Sequence, residues 1–168
     1  MYAEGFPPVA DAGARVLVLG SLPGPASLRE RQYYAQPRNA FWRIMGMLFG
    51  ALPERSYEQR LEILRQHHVA LWDVCASAHR PGALDASIRW ASVVPNDFAQ
   101  FFAAHPELRL ICFNGRVAAE LYRRRVLPGL AEDLSGLRYE TLPSTSPAHA
   151  AMSFEHKFER WSVVGRPQ

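Results

Sequence analysis

Apolar residues in this chain gather into four short runs: 15–20 (RVLVLG), 69–74 (VALWDV), 108–113 (LRLICF) and 137–143 (LRYETLP). Runs of this length, bounded by turn-forming residues, predict strands, and the first three are apolar almost throughout, as strands covered on both faces are. Between and after them, apolar residues recur at helical spacing over 39–49, 57–67, 97–104, 116–124 and 154–161. Asn96 precedes the third of these segments and reads as its cap. Strand therefore alternates with helix, which predicts an α/β domain with a mostly parallel sheet sandwiched by helices. In that architecture ligands bind beyond the carboxyl ends of the strands, so the loops after the strands are the candidate sites. No internal repeat or low-complexity tract interrupts the pattern, and the Pro-containing tail from Gly165 is expected to fray.

Composition narrows the picture. With 168 residues, 48% hydrophobic and 21% charged, the chain reads as one globular domain spanning 1–168, large enough to bury a sizeable core. No basic start leads into a long apolar segment and no run reaches the length of a bilayer span, so the expected location is the cytoplasm. Cys75 and Cys112 are isolated among apolar residues and form no CxxC pair, so they read as core residues. His67, His68, His79, His105 and His156 show no metal-ligand spacing, and His67-His68 reads as an exposed helix end. No metal is expected. A net charge of +3 permits a polyanionic partner without requiring one.

Two loops carry candidate chemistry. The first, GSLPGPASLRERQYYAQPRNAFW from Gly20 to Trp42, opens with glycines that let backbone approach a ligand. It matches neither GxGxxG, GxxxxGK[ST] nor GxSxG, and the glycines alone fit a tight strand-to-helix turn. Tyr33 and Tyr34 offer faces for stacking on a base, whereas Phe41 and Trp42 read as core anchors of the next helix. Asn39 is both a candidate polar ligand and an ordinary cap. The second loop, LPSTSPAHA from Leu142 to Ala150, combines two prolines with the hydroxyls of Ser144, Thr145 and Ser146, as a phosphate contact requires, or forms a plain Ser/Thr/Pro turn. If they end the first and last strands of one parallel sheet, these loops face each other across a cleft.

GSLPGPAS…YYAQPRNAFW followed by LPSTSPAHA resembles the two signature motifs of the uracil-DNA glycosylase superfamily, in its hypoxanthine-DNA glycosylase branch, family 6. The likeness extends to ALWDVCASAHRPGALDASIR in the middle and to Phe113-Asn114-Gly115, so it spans nearly the whole chain. It implies a three-layer α/β/α sandwich around a four-stranded parallel sheet, no cofactor, and a monomer that excises deaminated bases from DNA, hypoxanthine first and uracil as a second substrate. A single lesion offers no symmetry for a dimer to match, and no obligate protein partner is expected.

The resemblance also assigns roles. Asn39 becomes the catalytic residue, its amide carbonyl orienting water under the cationic sugar; an amide is a weak base, but positioning suffices when bond breaking leads. Tyr34 is implied to stack on the extruded base, with Gly20, Ser21 and Leu22 lining it. Asn114 is implied to read the base edge, since an amide matches adjacent N–H and C=O groups; its bland alternative is a strand-end turn residue. Ser144, Thr145 and Ser146 are implied to bind flanking phosphate or steady the strand, while Pro147, Ala148 and His149 enter the duplex. Leu22 and Leu142 stand where other branches carry polar residues, which shifts the burden onto Asn39. Asp73, Asp85, Ser87 and Arg89 read as braces, and Arg123 to Arg125 as a solvated helix end or a DNA-backbone contact. Two other classes remain open: a catalytically silent damage- or single-strand-binding domain, and a hydrolase of free nucleosides.

Overall fold

A computed structural model describes residues 1–130, 134 and 136–168. In chain order its strands are β1 (Tyr2–Glu4), β2 (Val16–Gly20), β3 (Val69–Asp73), β4 (Cys75–His79), β5 (Val94–Pro95), β6 (Leu110–Asn114) and β7 (Arg138–Leu142). Its helices are α1 (Pro25–Glu30), α2 (Phe41–Phe49), α3 (Tyr57–Gln66), α4 (Phe98–Ala104), α5 (Arg116–Arg125) and α6 (Phe154–Trp161). The central sheet is four-stranded and parallel, in the order β3-β2-β6-β7.

Strand alternation divides the core into two layers. Leu17, Leu19, Ala70, Trp72, Ile111 and Phe113 face Phe98 and Phe101 of α4 and Leu121 and Tyr122 of α5. Val16, Val18, Val69, Leu71, Leu110 and Cys112 face Phe41, Ile44 and Met45 of α2, Leu61 and Leu64 of α3, and Trp161 of α6. This is the three-layer α/β/α sandwich expected. The edge strand β7 is exposed over its first four residues, and its Arg138 and Glu140 put charge on a free sheet edge.

The helix ends follow from local chemistry. Ser56 and Gln59 close a reciprocal capping box on α3, and α2 stops at Gly50, whose φ of 81° is left-handed. The cap of α4 is Asp97, whose carboxylate accepts the Gln100 N–H at 3.0 Å; Asn96 is instead turned back to donate to the Asp73 carbonyl. Val164 is buried, and Gln168 Nε2 donates to the carbonyls of Val163 and Arg166 while its side-chain oxygen accepts from Arg138. His67 is exposed as expected, but His68 is half-buried with φ 61° and its ring against Gly13.

A second, antiparallel sheet in the order β1-β4-β5 had no counterpart in the periodicity. Its strands, YAE, CASAH and VP, are too short and too mixed to signal themselves, and only pairing makes them extended, β1 with β4 across more than seventy residues and β4 with β5 across an intervening loop. Among the described residues no helix is long and apolar enough to cross a membrane.

Candidate active site

The rows Val16/Val18, Val69/Leu71 and Leu110/Cys112 end at the carboxyl edge of the sheet in Gly20, Asp73 and Asn114, all on the α2 side. Register places Gly20 beside Asp73 and Asn114 beside Leu142. The apolar floor thus turns polar at its last residue in β3 and β6, on either side of Gly20 at the end of β2. Both candidate loops depart from this edge.

The loops meet, because the Ala40 N–H donates to the Thr145 carbonyl at 3.0 Å. That bond brings Asn39 against the Ser/Thr/Pro loop. Asn39 Oδ1 accepts the Phe41 N–H at 2.9 Å, which fixes the side chain ahead of α2; among the described residues its Nδ2 donates to no protein group. A carbonyl oxygen has two acceptor sites, so one stays open to water.

Tyr34 is held at φ 57°, a left-handed conformation uncommon and strained for a tyrosine. One face of its ring stacks on Phe41 with centroids 4.0 Å apart, and its hydroxyl is buried without a partner. A Cβ on Gly20 would stand 2.5 Å from Asp73 Oδ1 and 3.2 Å from the Tyr34 hydroxyl, so only glycine admits both groups here. Tyr33 anchors the loop, its hydroxyl donating to the Pro7 carbonyl while its own carbonyl accepts from Trp42 Nε1. Burial pushes both tyrosines well above the ordinary phenol range, so both are neutral.

Three of the expected base- or DNA-contacting side chains are already committed within the fold. The Ser21 hydroxyl donates to Asp85 Oδ1 at 2.7 Å, which leaves its backbone rather than its side chain to line a ligand. Asn114 Nδ2 donates to Thr145 Oγ1 and its Oδ1 accepts the Thr145 N–H, both at 2.9 Å, so this amide clamps the second loop. Thr145 is 1% exposed and presents nothing to a phosphate. Ser144 and Ser146 instead shape the turn, accepting the N–H groups of Ser146 and Ala148. Ala148 is exposed and Pro147 and His149 half-buried; the His149 carbonyl accepts from Lys157 Nζ at 2.6 Å. Leu22 and Leu142 lie in the core.

Two residues gain weight that sequence reasoning withheld. Arg80 is 4% exposed and donates to the carbonyls of Leu22, Pro23 and Gly82, pinning the first loop from below. Nothing in its local sequence signals this. Asp73 is buried with Oδ2 unpartnered, and burial, then the charge of Asp85, push its carboxyl up to about 7 against the opposing pull of Arg80. A carboxylate ending an apolar strand was the available signal. Arg125 is a structural pin, donating to the carbonyls of Trp90 and Val93. Among the described residues no group of three or more His, Cys, Asp and Glu is placed to hold a metal.

A parallel sheet whose carboxyl edge gathers an amide, a carboxyl and an aromatic beneath two converging loops defines a class. The model of the uracil DNA glycosylase superfamily matches residues 7–164, and the chain belongs to that superfamily. A Methanosarcina acetivorans protein named hypoxanthine DNA glycosylase is 40% identical over 169 residues, 99% of each chain. One of the same name from Methanosarcina barkeri is 40% identical over 121 residues, covering 71% of this chain and 75% of that one. A solution NMR structure of a Methanosarcina acetivorans protein is similar at a TM-score of 0.80, with 37% identity and 98% of both chains covered.

Proposed function

We propose that this chain is a DNA glycosylase that hydrolyses the N-glycosidic bond of hypoxanthine in DNA, with uracil as a second substrate, and leaves an abasic site. The observation that carries this reading is the bond from Ala40 to Thr145, which seats Asn39 where the two loops converge over the polar edge of the sheet. The two relatives named hypoxanthine DNA glycosylase favour that base first.

In this reading the damaged nucleotide leaves the stack and enters beneath the first loop, a step that costs unstacking energy recovered in the pocket. Tyr34 stacks on the base, with Phe41 supporting the other face of its ring. Asn39, fixed through Phe41, holds water below the sugar as the C1′–N bond lengthens toward an oxocarbenium ion. The exposed tip around Ala148 fills the space left in the duplex, and Asn114 acts by holding that loop in place. The protein works as a cytoplasmic monomer in base-excision repair.

Single-turnover release from labelled duplexes containing one hypoxanthine or one uracil, followed by alkaline cleavage at abasic sites, tests the proposal. Release of hypoxanthine faster than uracil is expected. Tight binding with no release from single or double strands would assign the silent binding domain instead, and release from free deoxyinosine but not from DNA the nucleoside hydrolase.

A further inference from the structure

The loop after β4 presents an aliphatic side chain to solvent at the rim of the candidate site. Leu84 is 56% exposed and ends a run from Pro81 that is exposed throughout, whereas Ile88 of the same loop is buried and anchors it in the core. The loop has a fixed shape. Its base is closed by the Arg89 N–H, which donates to the His79 carbonyl at 2.9 Å. Leu84 leads into a short 3₁₀ turn over Asp85–Ser87, and its carbonyl accepts the Ser87 N–H at 2.9 Å. Two ties join this loop to the first. Buried Arg80 donates from Nη2 to the Pro23 carbonyl at 2.7 Å, and Asp85, next to Leu84, accepts the Ser21 hydroxyl at 2.7 Å. A leucine exposed on a mobile surface would be ordinary; this one sits on a braced loop bonded to the residue that follows Gly20.

Sheet order sets Leu84 across from the second loop. The strand that leads into β4, β3, lies at one edge of the sheet and β7 at the other, so the Leu84 loop and Pro147-Ala148-His149 flank the rim above β2 and β6 from opposite sides. The two tips differ in size. Ala148 projects a single methyl group, and Pro147 and His149 are half-buried. Such a tip fills only part of the gap that an extruded purine nucleotide leaves in a duplex. The base that had paired with it keeps an apolar face open to water, and restacking of the duplex draws the lesion back out of the pocket.

We propose that Leu84 is a second wedge, whose side chain packs on the base left unpaired opposite the lesion and holds the duplex open while the lesion occupies the pocket. This rests on the glycosylase reading above. Apolar wedges that enter between bases work by contact with base faces, and a leucine makes that contact without reading a base edge, so the same side chain serves whichever base stands opposite. Burial of the side chain against the base removes both apolar surfaces from water. Because the loop is already braced by Arg80 and Ser21, it loses little conformational freedom on contact.

The test is single-turnover release of hypoxanthine by wild type, Leu84→Ala and Leu84→Met from an ordinary duplex, from the same duplex with an abasic site opposite the lesion, and from the single strand. On the ordinary duplex Leu84→Ala is expected to lose about 10- to 100-fold, the loss of one buried leucine side chain. Leu84→Met keeps the apolar volume and should recover most of that loss. The deficit of Leu84→Ala should disappear on the two substrates that have no opposite base to hold. Thermal unfolding of both variants should match wild type, because the side chain is exposed in the free protein. An equal loss on every substrate that wild type cleaves would mark a merely structural residue and overturn the proposal. So would full activity of Leu84→Ala on the ordinary duplex, or release by wild type from single strands alone. A wild type that releases no base from any of these substrates fails the glycosylase reading itself, whereas release with the wrong substrate pattern fails the wedge alone.

Discussion

Asn114 and Thr145 exchange two hydrogen bonds of 2.9 Å, amide N–H to hydroxyl and backbone N–H to amide oxygen, and both residues are buried. The pair ties the end of β6 to the loop after β7, and the Thr145 carbonyl passes the constraint on to Ala40. Asn114→Ala strands the Thr145 N–H away from water and is expected to cost about 1–3 kcal/mol. Urea unfolding with Thr145→Val completes a double-mutant cycle, in which a coupling of about 0.5–3 kcal/mol is expected. Unchanged stability with abolished base release would return Asn114 to direct base reading.

Asn39 joins a structural bond to its catalytic assignment, and the two separate by substitution. Asn39→Ala is expected to lower base release about 100-fold or more while leaving duplex affinity in place. It also removes the acceptor for the Phe41 N–H and costs about 1 kcal/mol of stability. Asn39→Asp restores the acceptor, so its melting temperature should return toward wild type.

At Gly20 an added methyl group meets the Asp73 carboxyl before anything else. Gly20→Ala is expected to destabilise the fold by about 1–3 kcal/mol through overpacking and to abolish base release. Gly20→Ala with Asp73→Ala should recover most of the stability and none of the activity. Calorimetry of the three variants checks the relation.

Asp73 also predicts how stability varies with pH. Its folded value of about 7 lies above the unfolded value near 4, so between these limits the folded state binds more protons than the unfolded one. Stability contributed by the protonated carboxyl is therefore present below about pH 4 and lost as pH rises through about 7, to a total on the order of 3–4 kcal/mol. Denaturant midpoints of wild type against Asp73→Asn across this window should diverge with that sign. Parallel curves would place the carboxyl in water.

The tip of the second loop hangs on Lys157, which is buried beside it and donates to the His149 carbonyl at 2.6 Å. Lys157→Met keeps the apolar stem and removes the donor, at a cost of about 1 kcal/mol. Hydrogen exchange should quicken at Ala148 and His149 and stay unchanged in β2 and β6.

What the amino-acid order determined here is what repeats locally. Almost continuously apolar runs at 15–20, 69–74 and 108–113 read as strands covered on both faces, the intervening 3.6-residue periods as their covering helices, and the alternation of the two as a parallel sheet, which is the sheet observed. The two loops were legible for the same reason, since their residue types stand out within one stretch of chain, and the structure joins them through Ala40 and Thr145. The antiparallel strands β1, β4 and β5 were not, because segments this short and mixed carry no period of their own and take their form from the pairing, which for β1 and β4 joins distant parts of the sequence. Nor was the division of labour among the polar residues. Asn114, Thr145 and Ser21 look like free ligands until the fold supplies their partners, and Asp73 looks like a brace until the fold leaves it without one. A side chain's type states what it can bond, but only tertiary packing decides which bonds are already made and which remain for a ligand.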